Sequence, residues 1–196
     1  MLLMHAILCF GDSITFGIGE QPSNGWCGRL KDLLEKKDQY NYVYNLGIPG
    51  DTSQGVLERI ETECERRIRY KREEDKATII IAIGTNDIKY KDGLHQISED
   101  DFESNIKCII EVAKTYTNNI FVLQMPYVHS TQAKSWEGSE YRNEDIDQRN
   151  AILQRVAGDR FIPLKFLRWD DMLPDGLHPN EEGYEEMFVQ IKGLFE

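Results

Sequence analysis

Residues 5–17 read His-Ala-Ile-Leu-Cys-Phe-Gly-Asp-Ser-Ile-Thr-Phe-Gly, and this stretch decides the fold. Its apolar start, His5–Phe10, predicts a short buried strand, and the change to Gly-Asp-Ser at Gly11 predicts that the strand ends there. Ser13 therefore stands where a strand gives way to a loop or a helix. By itself, a Gly-Asp-Ser tripeptide is most often only a turn. In an open parallel sheet, however, ligands bind in the crevice beyond the carboxyl ends of the strands.

The rest of the chain alternates predicted strands with predicted helices. Ala77–Ile83 is almost continuously apolar, which is typical of a middle strand in a parallel sheet that is covered on both faces. This alternation predicts a three-layer α/β/α fold of the flavodoxin-like type, with a central, mostly parallel five-stranded sheet. The predicted strands are His5–Phe10, Asn41–Leu46, Ala77–Ile83, Ile120–Met125 and Phe161–Phe166. The predicted helices begin near Gly25, Thr52, Ser98, Tyr141 and Asn180.

Length and charge limit the possible classes of protein. The 196 residues fit one domain that spans residues 1–196. Thirty-four acidic against 23 basic residues give a formal charge of −11, which disfavours nucleic acid or an anionic membrane surface as a partner. No apolar run approaches the roughly 18 residues that span a bilayer, and the first ten residues lack the features of a signal peptide. We therefore expect a cytoplasmic protein without membrane insertion.

The four cysteines are scattered, with no C-x-x-C pair and no nearby histidine cluster. Neither a zinc site nor a disulfide is supported by that spacing. Cys64 and Cys108 fall on predicted apolar stripes of helices, where a reduced cysteine acts as a small hydrophobic residue. We expect four structural thiols and no bound metal.

Three further short stretches take the same position as Gly11-Asp12-Ser13, near the ends of predicted strands. They are Asn45–Thr52, Ile83–Asp87 and Asp175–Asn180. The Gly-Asp-Ser, the Gly of the second stretch, the Gly-x-Asn-Asp of the third and the terminal Asp-x-x-His resemble the motif blocks of the SGNH hydrolases, also called the GDSL esterase/lipase family. The four motifs occur in the family's order over residues 11–180, without a departure at any motif position. The resemblance implies the SGNH hydrolase fold and hydrolysis of carboxylic esters through an acyl-enzyme.

A serine hydroxyl is a weak nucleophile, so it needs a base within reach and a third group that orients the base. Of the four histidines, only His178 is expected at a strand-end loop beside a carboxylate. Asp175, three residues earlier, can reach Nδ1 of the imidazole and direct Nε2 toward Ser13. The resemblance likewise implies a catalytic triad of Ser13, Asp175 and His178.

An attacked ester develops an oxyanion, which requires donors aimed at the new charge. The resemblance implies that Gly50 and Asn86 supply such donors, and this is physically reasonable because Gly50 has no Cβ to obstruct the substrate and Asn86 offers a neutral amide donor. Gly47 is the less favoured alternative to Gly50. The resemblance implies that Asp12 and Asp87 brace loops rather than act as acids or bases. It implies three oxyanion donors, the backbone N–H of Ser13, the backbone N–H of Gly50 and the side chain of Asn86.

Other classes of function compete with the hydrolase. Gly17-x-Gly19 hints at dinucleotide binding, and Ser13-Ile14-Thr15 is placed to cradle the phosphate of a flavin in a flavodoxin-like module. Pro22 stands where the third glycine of a dinucleotide fingerprint belongs, and neither hypothesis uses Asn86 or His178. A third hypothesis is a non-catalytic carbohydrate-binding relative, but such a protein would not require all four motifs with their serine, asparagine, aspartate and histidine. We therefore expect an esterase without a cofactor.

The family resemblance leaves the substrate open, because members act on carbohydrate O-acetyl esters, lysophospholipids, thioesters and aryl esters. Loops 18–24, 89–96 and 127–140 are polar, with isolated aromatic residues at Tyr90, Tyr127 and Trp136. Aromatic faces among hydrogen-bonding side chains suit a sugar ring, although surface aromatics without a role explain them equally well. We predict a preference for short acyl groups such as acetyl on a small polar or carbohydrate alcohol, and the alternative is a lysophospholipase or an acyl thioesterase. No feature indicates an oligomeric state.

Overall fold

A parallel sheet runs through the centre of the computed structural model, which describes residues 3–20, 25–70, 72–129, 133, 138–164 and 172–196. The strands are β1 (His5–Gly11), β2 (Asn41–Gly47), β3 (Lys76–Ala82), β4 (Tyr90–Lys91), β5 (Leu94–His95), β6 (Ile120–Leu123) and β7 (Phe161–Ile162). Five of them pair in the order β2-β1-β3-β6-β7, and every pair is parallel. The predicted five-stranded sheet is confirmed, with β3 at its centre and β1 beside it.

Helices cover both faces of this sheet. Three of the predicted helix starts carry side-chain caps, in which Thr52, Ser98 and Asn180 accept backbone N–H groups of the first turn. Short 3₁₀ turns follow the last two helices. The helices are α1 (Ser13–Phe16), α2 (Gly25–Lys37), α3 (Ser53–Arg67), α4 (Glu99–Lys114), α5 (Asn143–Ala157) and α6 (Glu181–Lys192).

The core lies in two halves because successive side chains of a strand point to opposite faces of the sheet. On one face, Ile7 packs in a cluster with Trp26 of α2 and Tyr184 of α6. On the other face, Leu8 belongs to a larger cluster that includes Phe102 and the apolar residues of α3, α4 and α5. The three-layer α/β/α prediction is therefore confirmed. Because β1, β2 and β3 are parallel neighbours, their carboxyl ends lie together at one edge of the sheet.

Two predicted core positions are wrong. The spacing of Trp26, Leu30, Leu33 and Leu34 in the sequence predicts that all four lie on the buried face of α2. Leu33 is instead 40% exposed, because α2 packs through the other three residues. Cys108 is exposed as well, since it lies on the solvent side of the stripe that α4 buries, whereas Cys64 is buried as predicted. An apolar pattern defines a helix face only to within about one residue on either side.

A small hairpin was not predicted. Strands β4 and β5 pair antiparallel inside the stretch that the sequence describes only as a polar loop. Their turn residues, Asp92 and Gly93, have φ values of 53° and 86°, which suit a two-residue hairpin turn. Tyr90 also bridges to Glu140, so the hairpin holds the end of the 127–140 loop.

Parts of the sequence-based predictions fall on residues that are not described. Residues 21–24, Trp136 and Phe166 lie outside the described ranges. Within those ranges, no helix is long and apolar enough to cross a membrane.

Candidate active site

Ser13 is held by the tight turn that joins β1 to α1. Asp12 caps this four-residue helix, and its Oδ1 accepts the backbone N–H of Ile14 at 2.9 Å. A Cβ on Gly11 would lie 2.1 Å from Thr15 Oγ1 and 2.5 Å from the carbonyl oxygen of Ala82. Only glycine therefore allows the turn to pack against β3, and this packing sets Ser13 at the carboxyl edge of the central strands.

The structure brings Ser13, His178 and Asp175 together. Nε2 of His178 lies 2.8 Å from Oγ of Ser13, although the two residues are 165 positions apart in the chain. Nδ1 of His178 lies 2.7 Å from Oδ2 of Asp175. Asp175 and His178 lie in the loop before α6, so this loop brings the histidine to the serine that follows the first strand. This arrangement can pass a proton from a serine hydroxyl to an imidazole that a carboxylate orients.

The Asp175 carboxylate is fixed by the loop that carries it. Its Oδ1 accepts the backbone N–H groups of Leu177 at 2.9 Å and His178 at 3.0 Å. Partial burial acts to raise the pKa of Asp175, but the hydrogen bonds from the His178 ring and from these two N–H groups outweigh it and lower the pKa to about 2. An ionised Asp175 accepts a hydrogen bond from Nδ1–H of His178, which leaves Nε2 free to accept the hydroxyl proton of Ser13.

Two loops carry the other predicted donors. Gly50 lies between β2 and α3 with φ of 83°, and a Cβ there would have no described atom within 4 Å. Asn86 follows β3, and its Nδ2 donates to the carbonyl oxygen of Asp51 at 2.9 Å. The second hydrogen of that amide is not used by this bond.

Gly47 differs from Gly50 in its surroundings. Its N–H already donates to Oδ1 of Asn45 at 3.0 Å. A Cβ on Gly47 would lie 2.2 Å from the backbone nitrogen of Phe16, so this glycine serves the close packing of β2 against α1. Of the two glycines, Gly50 is the one with an open surface above it.

Asp12 and Asp87 are both buried beneath the site. Burial raises the pKa of Asp12 to about 7, although the Ile14 N–H and the nearby His178 act to lower it. Burial also raises the pKa of Asp87 to about 6, against the effect of its hydrogen bonds with Ser53. Asp87 accepts the Ser53 N–H at 3.0 Å and also the Ser53 hydroxyl, which ties the end of β3 to the start of α3.

Sequence reasoning missed two apolar side chains at this edge. Phe16 is 44% exposed and Ile48 is 47% exposed, and they stand three residues after Ser13 and two residues before Gly50. The signal was present, since Phe16 closely follows the Gly-Asp-Ser block and Ile48 lies inside the second block, rather than in the polar loops between the blocks. Exposed apolar groups beside such a site offer contact to an organic substrate.

An α/β/α sheet that carries Ser, His and Asp together at the carboxyl edge has the architecture of the SGNH hydrolases, the class that the sequence motifs indicate. A profile of the GDSL-like lipase/acylhydrolase family matches residues 9–186. The chain therefore belongs to this family, and it is a carboxylic ester hydrolase.

Individual relatives agree with this assignment. Esterase TesA of Pseudomonas aeruginosa is 29% identical over 181 residues, which cover 89% of this chain and 80% of that protein. An arylesterase of Vibrio mimicus is 26% identical over 177 residues, with coverage of 90% and 80%. The crystal structure of an acetylxylan esterase from Geobacillus stearothermophilus matches with a TM-score of 0.72 and 17% identity, covering 99% of this chain and 95% of that one. The last likeness concerns the fold.

Family membership displaces the flavin- or nucleotide-binding hypothesis, and the structure explains the two glycines that suggested it. Gly17 ends α1 in the left-handed conformation, with φ of 94°. A Cβ on Gly19 would lie 2.3 Å from Cδ1 of Leu173, so this glycine allows close packing. Both residues serve the turn after Ser13.

Proposed function

We propose that this esterase works through a Ser13 nucleophile, with His178 as the general base and Asp175 as the group that orients it. The observation that carries the proposal is the continuous chain of contacts from Ser13 Oγ through the imidazole to Asp175, at 2.8 Å and 2.7 Å. In the first step Ser13 Oγ bonds to the ester carbonyl carbon while its proton passes to His178 Nε2. Asp175 stabilises the imidazolium that forms.

The tetrahedral intermediate needs donors for its oxyanion, and we assign these to the N–H groups of Ser13 and Gly50 and to the amide of Asn86. Its collapse breaks the bond to the alcohol, which leaves with the proton from His178. Water then attacks the acyl-enzyme and gives a proton to His178. Breaking of the bond to Ser13 Oγ, which takes that proton back from His178, releases the carboxylic acid. Asp12 and Asp87 support the loops in this scheme, consistent with their bonds to Ile14 and Ser53.

For the substrate, we propose a short acyl group, such as acetyl, on a small polar or carbohydrate alcohol. Loops 89–96 and 127–140 are polar in sequence, and Tyr90 and Tyr127 offer aromatic faces among hydrogen-bonding side chains, which suit a polar alcohol such as a sugar. The charge of −11 disfavours an anionic lipid surface. The fold of the acetylxylan esterase is compatible with such a substrate, since a similar sheet supports that activity there.

The exposed apolar side chains favour a second candidate, a longer acyl group as in a lysophospholipase or thioesterase. Phe16, Ile48 and, on the hairpin, Leu94, which is 74% exposed, are available at the surface. Each CH₂ of a chain that they cover would contribute about 0.8 kcal/mol. The two candidates therefore differ in how the rate changes with chain length.

A series of p-nitrophenyl esters from acetyl to palmitoyl, run beside acetylated xylose oligomers and acyl thioesters, tests the substrate. We expect kcat/KM to be highest for acetyl and to fall at least about tenfold by a C10 chain. Faster hydrolysis of decanoyl or palmitoyl esters, or of thioesters, would replace the short-acyl proposal with the second candidate.

Ser13→Ala tests the mechanism separately. The variant should lose ester hydrolysis and labelling by a fluorophosphonate probe while its circular dichroism spectrum stays unchanged. Full activity in the variant would end the assignment of the nucleophile. We further propose one hydrolase domain over residues 1–196 in the cytoplasm; limited proteolysis and cell fractionation test these two points.

A further inference from the structure

Arg59 of α3 reaches out of its helix to the loop that carries Gly50 and to the end of β1. Its Nε and Nη2 donate to Oδ2 of Asp51 at 3.0 Å and 2.8 Å. Nη2 also donates to the carbonyl oxygen of Gly11 at 3.3 Å, and the guanidinium carbon lies 5.4 Å from the centre of the Phe10 ring. The two charged side chains are only 16% and 11% exposed, so this is a mostly buried ion pair.

Asp51 connects the contacts of Arg59 to the proposed oxyanion donors. It directly follows Gly50, and its N–H donates to the carbonyl oxygen of Ile48 at 3.0 Å, which closes the turn around Gly50. Its own carbonyl oxygen accepts the Asn86 amide at 2.9 Å. One residue therefore sets the turn at Gly50 and the orientation of Asn86.

The first motif block is tied to the same loop. The N–H of Ile48 donates to the carbonyl oxygen of Gly11 at 3.0 Å, and this is the oxygen that Arg59 also contacts. Gly11 lies two residues before Ser13. A Cβ on Gly55 would stand 1.9 Å from Oδ1 of Asp51, so the first turn of α3 also leaves room for this carboxylate.

We propose that Arg59 is a positioning residue for the oxyanion hole, acting through Asp51 and the Gly11 carbonyl. Donors aimed at a developing charge must be held in place before the reaction, because a displacement of about 1 Å can cost on the order of 100-fold in rate. Gly50 lies in a surface loop and Asn86 in another, and Arg59 links both to β1, which ends at Gly11, two residues before Ser13. This inference rests on the proposed function.

Arg59→Met removes the charge and the donors but keeps much of the length and apolar volume of the side chain. We expect kcat for p-nitrophenyl acetate to fall by about 10- to 100-fold with less than about a threefold change in KM. Arg59→Lys keeps the charge but cannot make the two-nitrogen contact, so it should recover only part of the rate. Arg66→Met, an exposed arginine on the same helix, is the matched control and should keep the wild-type rate.

A double-mutant cycle separates positioning from a general structural effect. If Arg59 acts through Asn86 and Gly50, the factor lost in Arg59→Met should become several-fold smaller in an Asn86→Ala background. Asp51→Asn removes the partner of Arg59 and should show the same fall in kcat, so it replaces Arg59→Met as the test if Arg59→Met is too unstable. Thermal unfolding by circular dichroism checks the folding of both variants. A kcat within twofold of wild type in both folded variants, or the same factor in both backgrounds, overturns the inference. Undiminished activity in Ser13→Ala would instead overturn the proposed function on which it rests.

Discussion

Asp12→Asn should remove a pH-dependent loss of stability that the wild-type protein carries. Asp12 is 2% exposed, and burial raises the pKa of its carboxyl from 3.8 to about 7. In the unfolded chain the Asp12 carboxyl therefore ionises near pH 3.8, whereas in the folded protein it keeps its proton until about pH 7. The stability due to this group is fully present below pH 3.8 and is lost as the pH rises through the folded pKa.

The magnitude follows from these pKa values. Each pH unit in which only the unfolded chain loses the proton lowers the free energy of unfolding by about 1.4 kcal/mol. Between pH 5 and pH 8 the wild type should lose about 2.6 kcal/mol through Asp12, most of it below pH 7. Asparagine keeps an oxygen that can accept the Ile14 N–H but cannot ionise. The variant should therefore gain about 2.6 kcal/mol relative to wild type between pH 5 and pH 8.

Urea unfolding followed by circular dichroism at pH 5, 6, 7 and 8 measures this difference directly. Comparing the two proteins at each pH cancels the contributions of shared groups that do not interact electrostatically with Asp12, such as His5. Asp32→Asn, an exposed position on α2, is the control and should show no such change. A difference between wild type and Asp12→Asn that stays constant from pH 5 to pH 8 would refute the reasoning.

Three further outcomes are expected. Asn86→Ala should lower kcat by roughly 10²- to 10³-fold with a smaller change in KM, as for the loss of one oxyanion donor, and a mainly KM effect would make Asn86 a substrate-binding residue. The rate should fall on acidification because protonated His178 cannot accept the Ser13 proton, while Asp175, with a pKa of about 2, stays ionised; a flat rate from pH 5 to 8 would contradict a histidine base. Ile80→Ala should destabilise the protein by about 2–5 kcal/mol in urea unfolding, since Ile80 is fully buried in β3, and a cost below about 1 kcal/mol would show that the sheet collapses around the cavity.

Much of the fold could be predicted because local patterns and tertiary packing agree. The apolar run at Ala77–Ile83 predicts a strand, and the structure has β3 one residue earlier, at Lys76–Ala82. The prediction works because a strand that is covered on both faces is apolar at nearly every position. Thr52, Ser98 and Asn180 marked helix starts, since an N-cap is satisfied by its own first turn. Such features depend on neighbours within a few residues.

The errors fall where distant contacts decide. Leu33 and Cys108 carry the right residue type for a core, but the width of the contact between each helix and its neighbours leaves them exposed. The hairpin of β4 and β5 is only two residues deep on each side and is joined to Glu140, far along the chain. No periodicity can appear in strands of two residues.

The sequence by itself determined the order of strands and helices, the family and the chemical types at the candidate site. Motif spacing singled out Ser13, Asn86, Asp175 and His178, because each follows a predicted strand or stands in a terminal loop. Only the tertiary structure decided that Ser13 and His178 meet at 2.8 Å across 165 residues.

The tertiary structure alone also revealed Arg59 and the raised pKa of Asp12. In the sequence, Arg59 is one charged residue among several on α3, and Asp12 is one more turn residue. The burial of a charged side chain and the identity of its ion-pair partners depend on elements that are distant in the chain and that pack together only in the folded protein. Those physical effects therefore arise only when the whole sheet and its helices are assembled.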